Sequence, residues 1–251
     1  MDTKARFSNR VNAYAKYRPS YPAQALDYLF DVVGVYPQCT VADIGAGTGI
    51  FSALLLDRDV HVAAVEPNGP MREEANRQLG EHANYSSYFT AAENTGLPSG
   101  SIDFIVCAQA FHWFNREAAH REFLRILKPN GKVILIWNSR LTQGTAFLEQ
   151  YEALLHEYGH DYKEVNHKNI TFDDLKAFFR DGRLQLEKFP NRQLFDFAGL
   201  SGRLMSSSYC PTADDPRFEE MMRKLRTIFE KNQEEGYVHF DYETEVYWGE
   251  V

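Results

Sequence analysis

The chain has 251 residues, of which 44% are hydrophobic and 25% charged, and it carries a formal net charge of −8. This is the composition of one large globular α/β domain, and the negative charge argues against a nucleic-acid partner, which requires a basic surface. No apolar run reaches the roughly 18 residues of a membrane helix, the first residues lack the apolar core of a signal peptide, and the three scattered cysteines form neither a disulfide set nor a metal site. We therefore expect a cytoplasmic protein without a membrane partner or a metal.

The first 35 residues are predicted to form two helices. The first runs from Ser8 to Tyr17 and stops before Pro19, because a proline disfavours helical backbone in the residue that precedes it. The second opens at Pro22 and ends at Gly34, the positions that proline and glycine prefer at helix ends.

Residues 40–137 alternate short apolar runs with helical patterns. Helices are predicted over 48–57, around Met71 and Leu79, and around Phe123 up to Pro129. The strands that separate them are predicted at 41–44, 60–65, 85–89, 102–108 and 133–137. Such alternation is typical of a parallel sheet covered by helices on both faces.

The remainder is less regular. Amphipathic helices are predicted around Phe147–Tyr158, after Thr171 and around Phe218–Ile228, with a strand over 184–195. The last segment, 238–248, alternates apolar and polar residues, which indicates an antiparallel strand with one wet face at the edge of the sheet. The predicted fold is therefore α/β: a doubly wound, mostly parallel, seven-stranded Rossmann-like sheet with an antiparallel C-terminal strand and a helical cover.

A glycine-rich turn, Gly45–Gly49, follows the first strand and Asp43. In a doubly wound sheet this turn lies at the ligand crevice, and glycine lets the backbone approach a ligand closely. The dinucleotide fingerprint G-x-G-x-x-G faces a pyrophosphate, but Ile50 occupies the place of its third glycine. Asp43, together with Glu66 after the second strand, should repel a diphosphate and attract a ribose-bearing ligand with a positive centre. S-adenosylmethionine fits this description better than NAD.

These motifs resemble class I S-adenosylmethionine-dependent methyltransferases, and the resemblance extends nearly end to end. The segments that carry it are Asp43–Gly49, Glu66–Asn68 with Met71, Ala91–Glu93, Gln109–Phe114 and Leu127–Gly131. Tyr17–Pro22 together with 112–114 is similar to a subgroup that includes fungal trans-aconitate methyltransferases. The resemblance implies S-adenosyl-L-methionine as cofactor and S-adenosyl-L-homocysteine as product, without a metal.

The resemblance also implies roles for single residues. Glu66 would accept the ribose hydroxyls, Glu93 would lie at the adenine edge, and Gln109 would approach the methyl region. The full set expected to bind the cofactor is Asp43, Gly45, Gly47, Gly49, Glu66, Pro67, Met71, Ala92, Glu93 and Gln109.

Other residues are candidates for the acceptor side. His112 is a candidate general base, since a histidine pKa lies near neutrality, or it holds the loop after the fourth strand; a carboxylate acceptor needs no base. Tyr14 is the second catalytic candidate, through its aromatic face against the sulfonium. The acceptor-binding candidates are Tyr17, Arg18, Trp113 and Arg140. The stretch 203–209 is interpreted either as a wall of the acceptor pocket or as a loop.

We therefore expect a helical lid over residues 1–35, a cofactor-binding core over 36–139, a substrate cover over 140–236 with its strand near 184–195, and the final strand over 237–251. The expected function is methyl transfer to a small-molecule acceptor, with a carboxylate as one candidate. The alternatives are an NAD-linked oxidoreductase and a cofactor-binding interaction protein without catalysis. The sequence leaves the oligomeric state open.

Overall fold

A computed structural model describes residues 11–162 and 170–251. Seven strands form one sheet in the order β3-β2-β1-β4-β5-β7-β6. The strands are β1 (Thr40–Ile44), β2 (His61–Val65), β3 (Tyr85–Tyr88), β4 (Ile102–Ala108), β5 (Leu127–Arg140), β6 (Gln185–Phe195) and β7 (Val238–Gly249). The helices are α1 (Val11–Tyr17), α2 (Ala23–Tyr28), α3 (Ile50–Leu56), α4 (Gly69–Leu79), α5 (Arg116–Ile126), α6 (Ala146–Tyr158), α7 (Phe172–Phe178), α8 (Phe197–Met205) and α9 (Phe218–Asn232).

The first five strands are parallel, as predicted. Val41, Ile105 and Ile134 in the central strands are fully buried because helices cover both faces of this part of the sheet, which is why these strands consist of continuous apolar residues. Since parallel strands share one direction, the turns that follow β1, β2 and β4 open at the same edge of the sheet.

The last two strands pair antiparallel, and β7 lies between β5 and β6. The prediction that the final strand forms the sheet edge is therefore wrong, although its antiparallel direction is confirmed. Alternation in a strand reports how its two faces are covered and does not report whether both sides are hydrogen-bonded. The edge strand is β6, and it contains Pro190, a residue that sheets accommodate mainly at their edges.

One helix end and the start of the strand that follows it also differ from the predictions. Helix α5 ends at Ile126, before the predicted end near Pro129, and β5 begins at Leu127. Leu127 pairs with Ile102 of β4, and the Lys128 ammonium lies 2.8 Å from an oxygen of Asp103. The pairing with β4 therefore draws this segment into the sheet.

The N-terminal helices follow the expected boundaries where the structure describes them. The predicted start at Ser8 lies outside the described residues, and α1 ends at Tyr17. Helix α2 continues as a π-helical turn, Leu29–Val33, which ends at Gly34 with φ of +94°. Within the described ranges, none of the helices combines the length and apolar character needed to cross a bilayer.

Helix α8 was not predicted. Asp196 caps it by accepting a hydrogen bond from the Gly199 amide at 2.7 Å, and Leu200 and Leu204 are buried one turn apart. This helix lies against α1: a Cβ on Gly202 would come 2.2 Å from the Tyr17 ring. The two helices are therefore in contact above the carboxyl ends of the parallel strands.

Candidate active site

A cleft opens at the carboxyl ends of the parallel strands, with α1 and α8 on its far side. Most of the residues expected from the sequence line it. They are Tyr14, Arg18, Gly45, Gly47, Glu66, Pro67, Met71, Ala92, Glu93, Gln109, His112, Trp113 and Arg140.

The turn after β1 is tied to the end of β2. The Gly47 amide donates to Glu66 Oε2 at 2.8 Å, and the Asn68 amide donates to Glu66 Oε1 at 2.7 Å. Glu66 is 7% exposed, and burial raises the pKa of its carboxyl group. Because each carboxylate oxygen can accept more than one hydrogen bond, both remain able to accept from a pair of ligand hydroxyls.

Gly45 allows a close approach of chain segments under the cleft. It has φ of +76°, and a Cβ at this position would lie 2.4 Å from the Ala110 Cβ. Any larger residue would displace the segment after β4 or close the cleft at the turn.

Asp43 lies beneath this turn and not on the wall of the cleft. It is fully buried; its Oδ2 accepts from the Ser52 hydroxyl at 2.7 Å, whereas Oδ1 makes no hydrogen bond to any described residue. Burial, aided by the nearby Glu66 charge, raises the pKa of Asp43 to about 7 against the partly compensating Ser52 bond. The charge of Asp43 therefore acts on the cleft through the turn.

Gly49 and Tyr17 also lie away from the cleft wall. Gly49 begins α3 with φ of +83°, and a Cβ there would meet Leu79 Cδ1 at 2.8 Å. It is therefore required for packing α3 on α4. The Tyr17 ring faces Gly202 of α8, so the residue next to Arg18 joins the two cover helices.

The β2 and β3 end of the cleft is apolar with one carboxylate. Met71 and Ala92 are 4% and 3% exposed, and Pro67 lies on the same wall. Glu93 accepts a hydrogen bond from the Asn115 amide at 2.9 Å, which links this wall to the segment that begins α5. Such a surface suits a flat aromatic ring with a polar edge.

The segment after β4 carries Gln109 and His112. Gln109 has φ of +61°, which is uncommon outside glycine, and its backbone N–H donates to the Ile136 carbonyl at 2.8 Å. His112 Nδ1 lies 3.4 Å from Trp137 Nε1. Because an indole nitrogen only donates, Nδ1 must accept, and the proton of a neutral His112 is then on Nε2. His112 lines the cleft, and in this tautomer its Nε2 is able to donate.

Three arginines stand on the opposite wall. Arg140 forms an ion pair with Glu152 and donates to the Tyr162 hydroxyl at 3.0 Å. Arg18 donates to the Ser206 carbonyl at 3.2 Å and lies 4.8 Å above the Tyr14 ring.

The third arginine, Arg203, lies on the wall, as the first of the two interpretations of 203–209 expects, but the helix that carries it was not predicted. It is 4% exposed and lines the cleft from α8. The signal that could have located it is the cap at Asp196 together with the spacing of Leu200 and Leu204, which makes this segment a helix with Arg203 on it.

Comparisons with known proteins agree with this geometry. Residues 42–135 match the methyltransferase domain family. The chain is similar to an uncharacterized methyltransferase of Mycobacterium tuberculosis strain H37Rv, with 34% identity over 55% of this chain and 54% of the relative. It is also similar to an uncharacterized methyltransferase-like protein of Schizosaccharomyces pombe, with 31% identity over 62% of this chain and 59% of that protein. The chain thus spans about half the length of the curated relatives it matches.

Solved structures share the fold. A proposed type II methyltransferase from Anaeromyxobacter dehalogenans superposes with a TM-score of 0.68 and 19% identity, over 93% of this chain and 98% of that one. A phosphoethanolamine N-methyltransferase from Haemonchus contortus in complex with S-adenosyl-L-methionine gives a TM-score of 0.56 and 13% identity, over 97% of this chain and 57% of that one. Residues 42–135 are therefore similar to the methyltransferase domain family, and the sheet has the same Rossmann-like fold as these solved structures.

Proposed function

We propose, on the premise that residues 42–135 match the methyltransferase domain family, that this protein transfers a methyl group from S-adenosyl-L-methionine to a small-molecule acceptor. The observation that carries the proposal is the contact between the Gly47 amide and Glu66 Oε2 at 2.8 Å. It places a buried carboxylate against the glycine-rich turn, where a ribose would have to lie.

The same contact disfavours a dinucleotide. A pyrophosphate binds to free backbone amides at the start of a helix, and the Gly47 amide already donates to a carboxylate. Asp43 lies directly under this turn, so a diphosphate would be repelled by two acidic groups. The same two acidic groups would attract a sulfonium or an ammonium group.

The residues present fit the cofactor. Glu66 would accept the ribose hydroxyls, and the backbone at Gly45, with the charge of Asp43 behind it, would hold the methionine end. Gln109 would lie near the methyl group. Adenine would pack between Pro67, Met71 and Ala92, with Glu93 at its edge.

When bound, the cofactor supplies a methyl group on a cationic sulfur, which departs as a neutral thioether when the acceptor attacks in line. The chain then has only to orient the acceptor and exclude water, which in the best intramolecular cases is worth roughly 7–11 kcal/mol. Tyr14 and Trp113 would place aromatic faces near the positive charge. His112 would donate a hydrogen bond from Nε2 to the acceptor and would not remove a proton from it.

The arginine wall supports a carboxylate on the acceptor. Arg18 would bind it, since a guanidinium offers paired donors that match a carboxylate, and Arg140 would complete the wall. Tyr17 would contribute by holding α1 against α8, which would make residues 1–35 a lid over the core 36–139 and the cover 140–236. The resemblance of Tyr17–Pro22 to the trans-aconitate subgroup also supports an acid as acceptor.

Three buried cysteines without disulfides, Cys39, Cys107 and Cys210, support a reducing compartment such as the cytoplasm.

Calorimetric titration with S-adenosylhomocysteine and with NADH tests the cofactor. The first should bind wild type and the second should not; the reverse result would refute the proposal. Glu66→Ala should weaken the binding of S-adenosylhomocysteine by about 1–3 kcal/mol, the range for hydrogen bonds to a charged group. Glu73→Ala, which removes an exposed carboxylate from α4, is the matched control and should bind as wild type.

Turnover is tested with a labelled methyl donor and a metabolite extract. Transfer of label to a small molecule supports the enzyme. Tight binding of S-adenosylhomocysteine without transfer to any acceptor would support a non-catalytic cofactor-binding protein instead.

A further inference from the structure

Two positive charges in the cleft have no acidic partner in the described part of the chain. Arg18 and Arg203 both line the wide part of the cleft and the narrower part beside the glycine-rich turn. Among residues 11–162 and 170–251 no carboxylate forms an ion pair with either of them, whereas Glu152 pairs with Arg140 on the same wall. Burial and the charge of Arg203 both lower the pKa of Arg18.

The Arg203 guanidinium is held by neutral groups only. Its Nε donates to the Tyr242 hydroxyl at 3.0 Å and its Nη1 donates to the Ser207 hydroxyl at 2.9 Å. Tyr242 is oriented in turn, because its hydroxyl donates to Gln193 at 2.9 Å, and the guanidinium lies 5.5 Å from the centre of the Phe240 ring. The charge is therefore fixed in position without being neutralised.

The partners of the two arginines are adjacent in sequence. Arg18 donates to the carbonyl of Ser206, and Arg203 donates to the hydroxyl of Ser207. The end of α8 thus brings two guanidinium groups together. Burying two like charges without a counter-ion is energetically costly. An anion bound between the two guanidinium groups would offset that cost.

We propose that Arg203 and Arg18 together clamp one carboxylate of the acceptor and that a different atom of the acceptor receives the methyl group. This rests on the proposed methyl transfer. Arginine donors bind carboxylate oxygens in a planar fork, and an oxygen that accepts from two guanidinium groups has its electron pairs engaged and is a poor nucleophile. The acceptor class is therefore a bifunctional acid, with one anchoring carboxylate and a separate nucleophilic group that attacks in its deprotonated form. The new bond to the methyl carbon then forms as the bond from that carbon to sulfur breaks, sulfur leaves as a neutral thioether, and no proton has to be removed.

Anion binding to the protein saturated with S-adenosylhomocysteine tests the clamp without turnover. Butyrate and succinate are titrated at constant ionic strength, with butylamine as the cationic counterpart. Both acids should bind wild type and butylamine should not. Arg203→Met should lower the affinity for both acids by roughly 30-fold or more, the order expected when one member of a desolvated charge pair is removed.

Matched variants separate charge, position and folding. Arg203→Lys should restore part of the affinity, since it keeps the charge but loses the fork. Arg121→Met, which removes an exposed arginine of α5, should bind as wild type. Ser207→Ala keeps both charges and should weaken the acids several-fold, which gives a reading even if Arg203→Met fails to fold. Unchanged acid binding in Arg203→Met or Ser207→Ala would overturn the clamp.

A second comparison identifies which carboxylate Arg18 meets. S-adenosylhomocysteine has its own carboxylate, whereas methylthioadenosine lacks the amino-acid part. Arg18→Met should bind both nucleosides as wild type does. If it loses affinity for S-adenosylhomocysteine alone, Arg18 binds the cofactor and the two-arginine clamp is refuted.

Two further results keep this proposal distinct from the proposed function. Failure of wild type to bind S-adenosylhomocysteine would refute methyl transfer itself, whereas normal binding without an acid response would refute the clamp alone. A product in which the only carboxylate of the acceptor has become a methyl ester would overturn the assignment of the reacting atom.

Discussion

Replacing Asp43 by asparagine should make the protein more stable at neutral pH and a poorer binder of the cofactor. Asp43 is fully buried with one oxygen unpaired among the described residues, and its pKa of about 7 lies well above the ordinary 3.8. Acidic groups with a pKa raised in this way cluster at functional sites, and the position of Asp43 next to the glycine-rich turn agrees with such a role.

The size of the effect follows from linkage. The pKa in the folded state is higher than in the unfolded state, so stability is greatest below about pH 4 and is lost as the pH rises toward 7, where the folded state also ionises. The interval of about three pH units, at 1.36 kcal/mol each, amounts to about 4 kcal/mol. Asparagine can still accept from Ser52, but its amide nitrogen in place of Oδ1 is left unpaired, which costs about 1–3 kcal/mol at every pH.

Urea unfolding of wild type and Asp43→Asn at pH 4, 6 and 8 measures this. The variant should be less stable at pH 4 by about 1–3 kcal/mol and more stable at pH 8 by a similar amount, so that the two curves cross. Titration at pH 8 should show that Asp43→Asn loses more affinity for S-adenosylmethionine than for S-adenosylhomocysteine, since only the former carries a sulfonium charge. A difference in stability that does not change with pH would refute the reasoning.

Three further substitutions test other parts of the fold. Gly49→Ala should destabilise the protein by about 1–3 kcal/mol in urea, because the φ of +83° is strained for alanine and its Cβ would meet Leu79; unchanged stability would contradict this. The Arg125 guanidinium, aided by hydrogen bonds from Thr95, lowers the pKa of Glu122 to about 2, so the ionised Glu122 should stabilise wild type and this stabilisation should be lost as the pH falls from 4.5 through 2. Glu122→Gln should lack this acid-dependent loss; identical unfolding free energies of the two proteins across this pH range would refute the expectation. Gly202→Ala should displace α1, because its Cβ would overlap the Tyr17 ring, and should speed proteolysis at Lys16; an unchanged cleavage rate would count against the contact.

The cofactor half of the fold could be predicted because its local signals and its tertiary environment agree. Strand β4, Ile102–Ala108, has the bounds expected from the sequence, since a strand buried on both faces is apolar from end to end. One local signal of the cover was also predictable: the capping box at Thr171 and Asp174 starts α7 as expected, because both partners lie within one turn of chain. These patterns are complete within a few residues.

The acceptor half could not be predicted in the same way because its determinants are far apart in the chain. The place of β7 between β5 and β6 depends on pairings with segments about 50 and 110 residues away. Arg203 becomes a cleft residue only when Tyr242, 39 positions later, and Ser207 orient it. The cap at Asp196 and the spacing of Leu200 and Leu204 predict a helix locally, but they do not predict that Tyr242 orients Arg203.

Apart from the ion pair between Arg140 and Glu152, the charged groups on the two sides of the cleft are positioned by neutral partners. On the cofactor side Ser52 holds Asp43, and backbone amides hold Glu66. On the acceptor side hydroxyls hold Arg203, and a carbonyl holds Arg18. Had the carboxylates paired with the arginines, the ion pairs would have been satisfied within the protein and neither wall would attract a ligand. Because Glu66, Arg18 and Arg203 are oriented without a counter-ion among the described residues, the proposed cationic cofactor and the proposed anionic acceptor would each be attracted to a different wall.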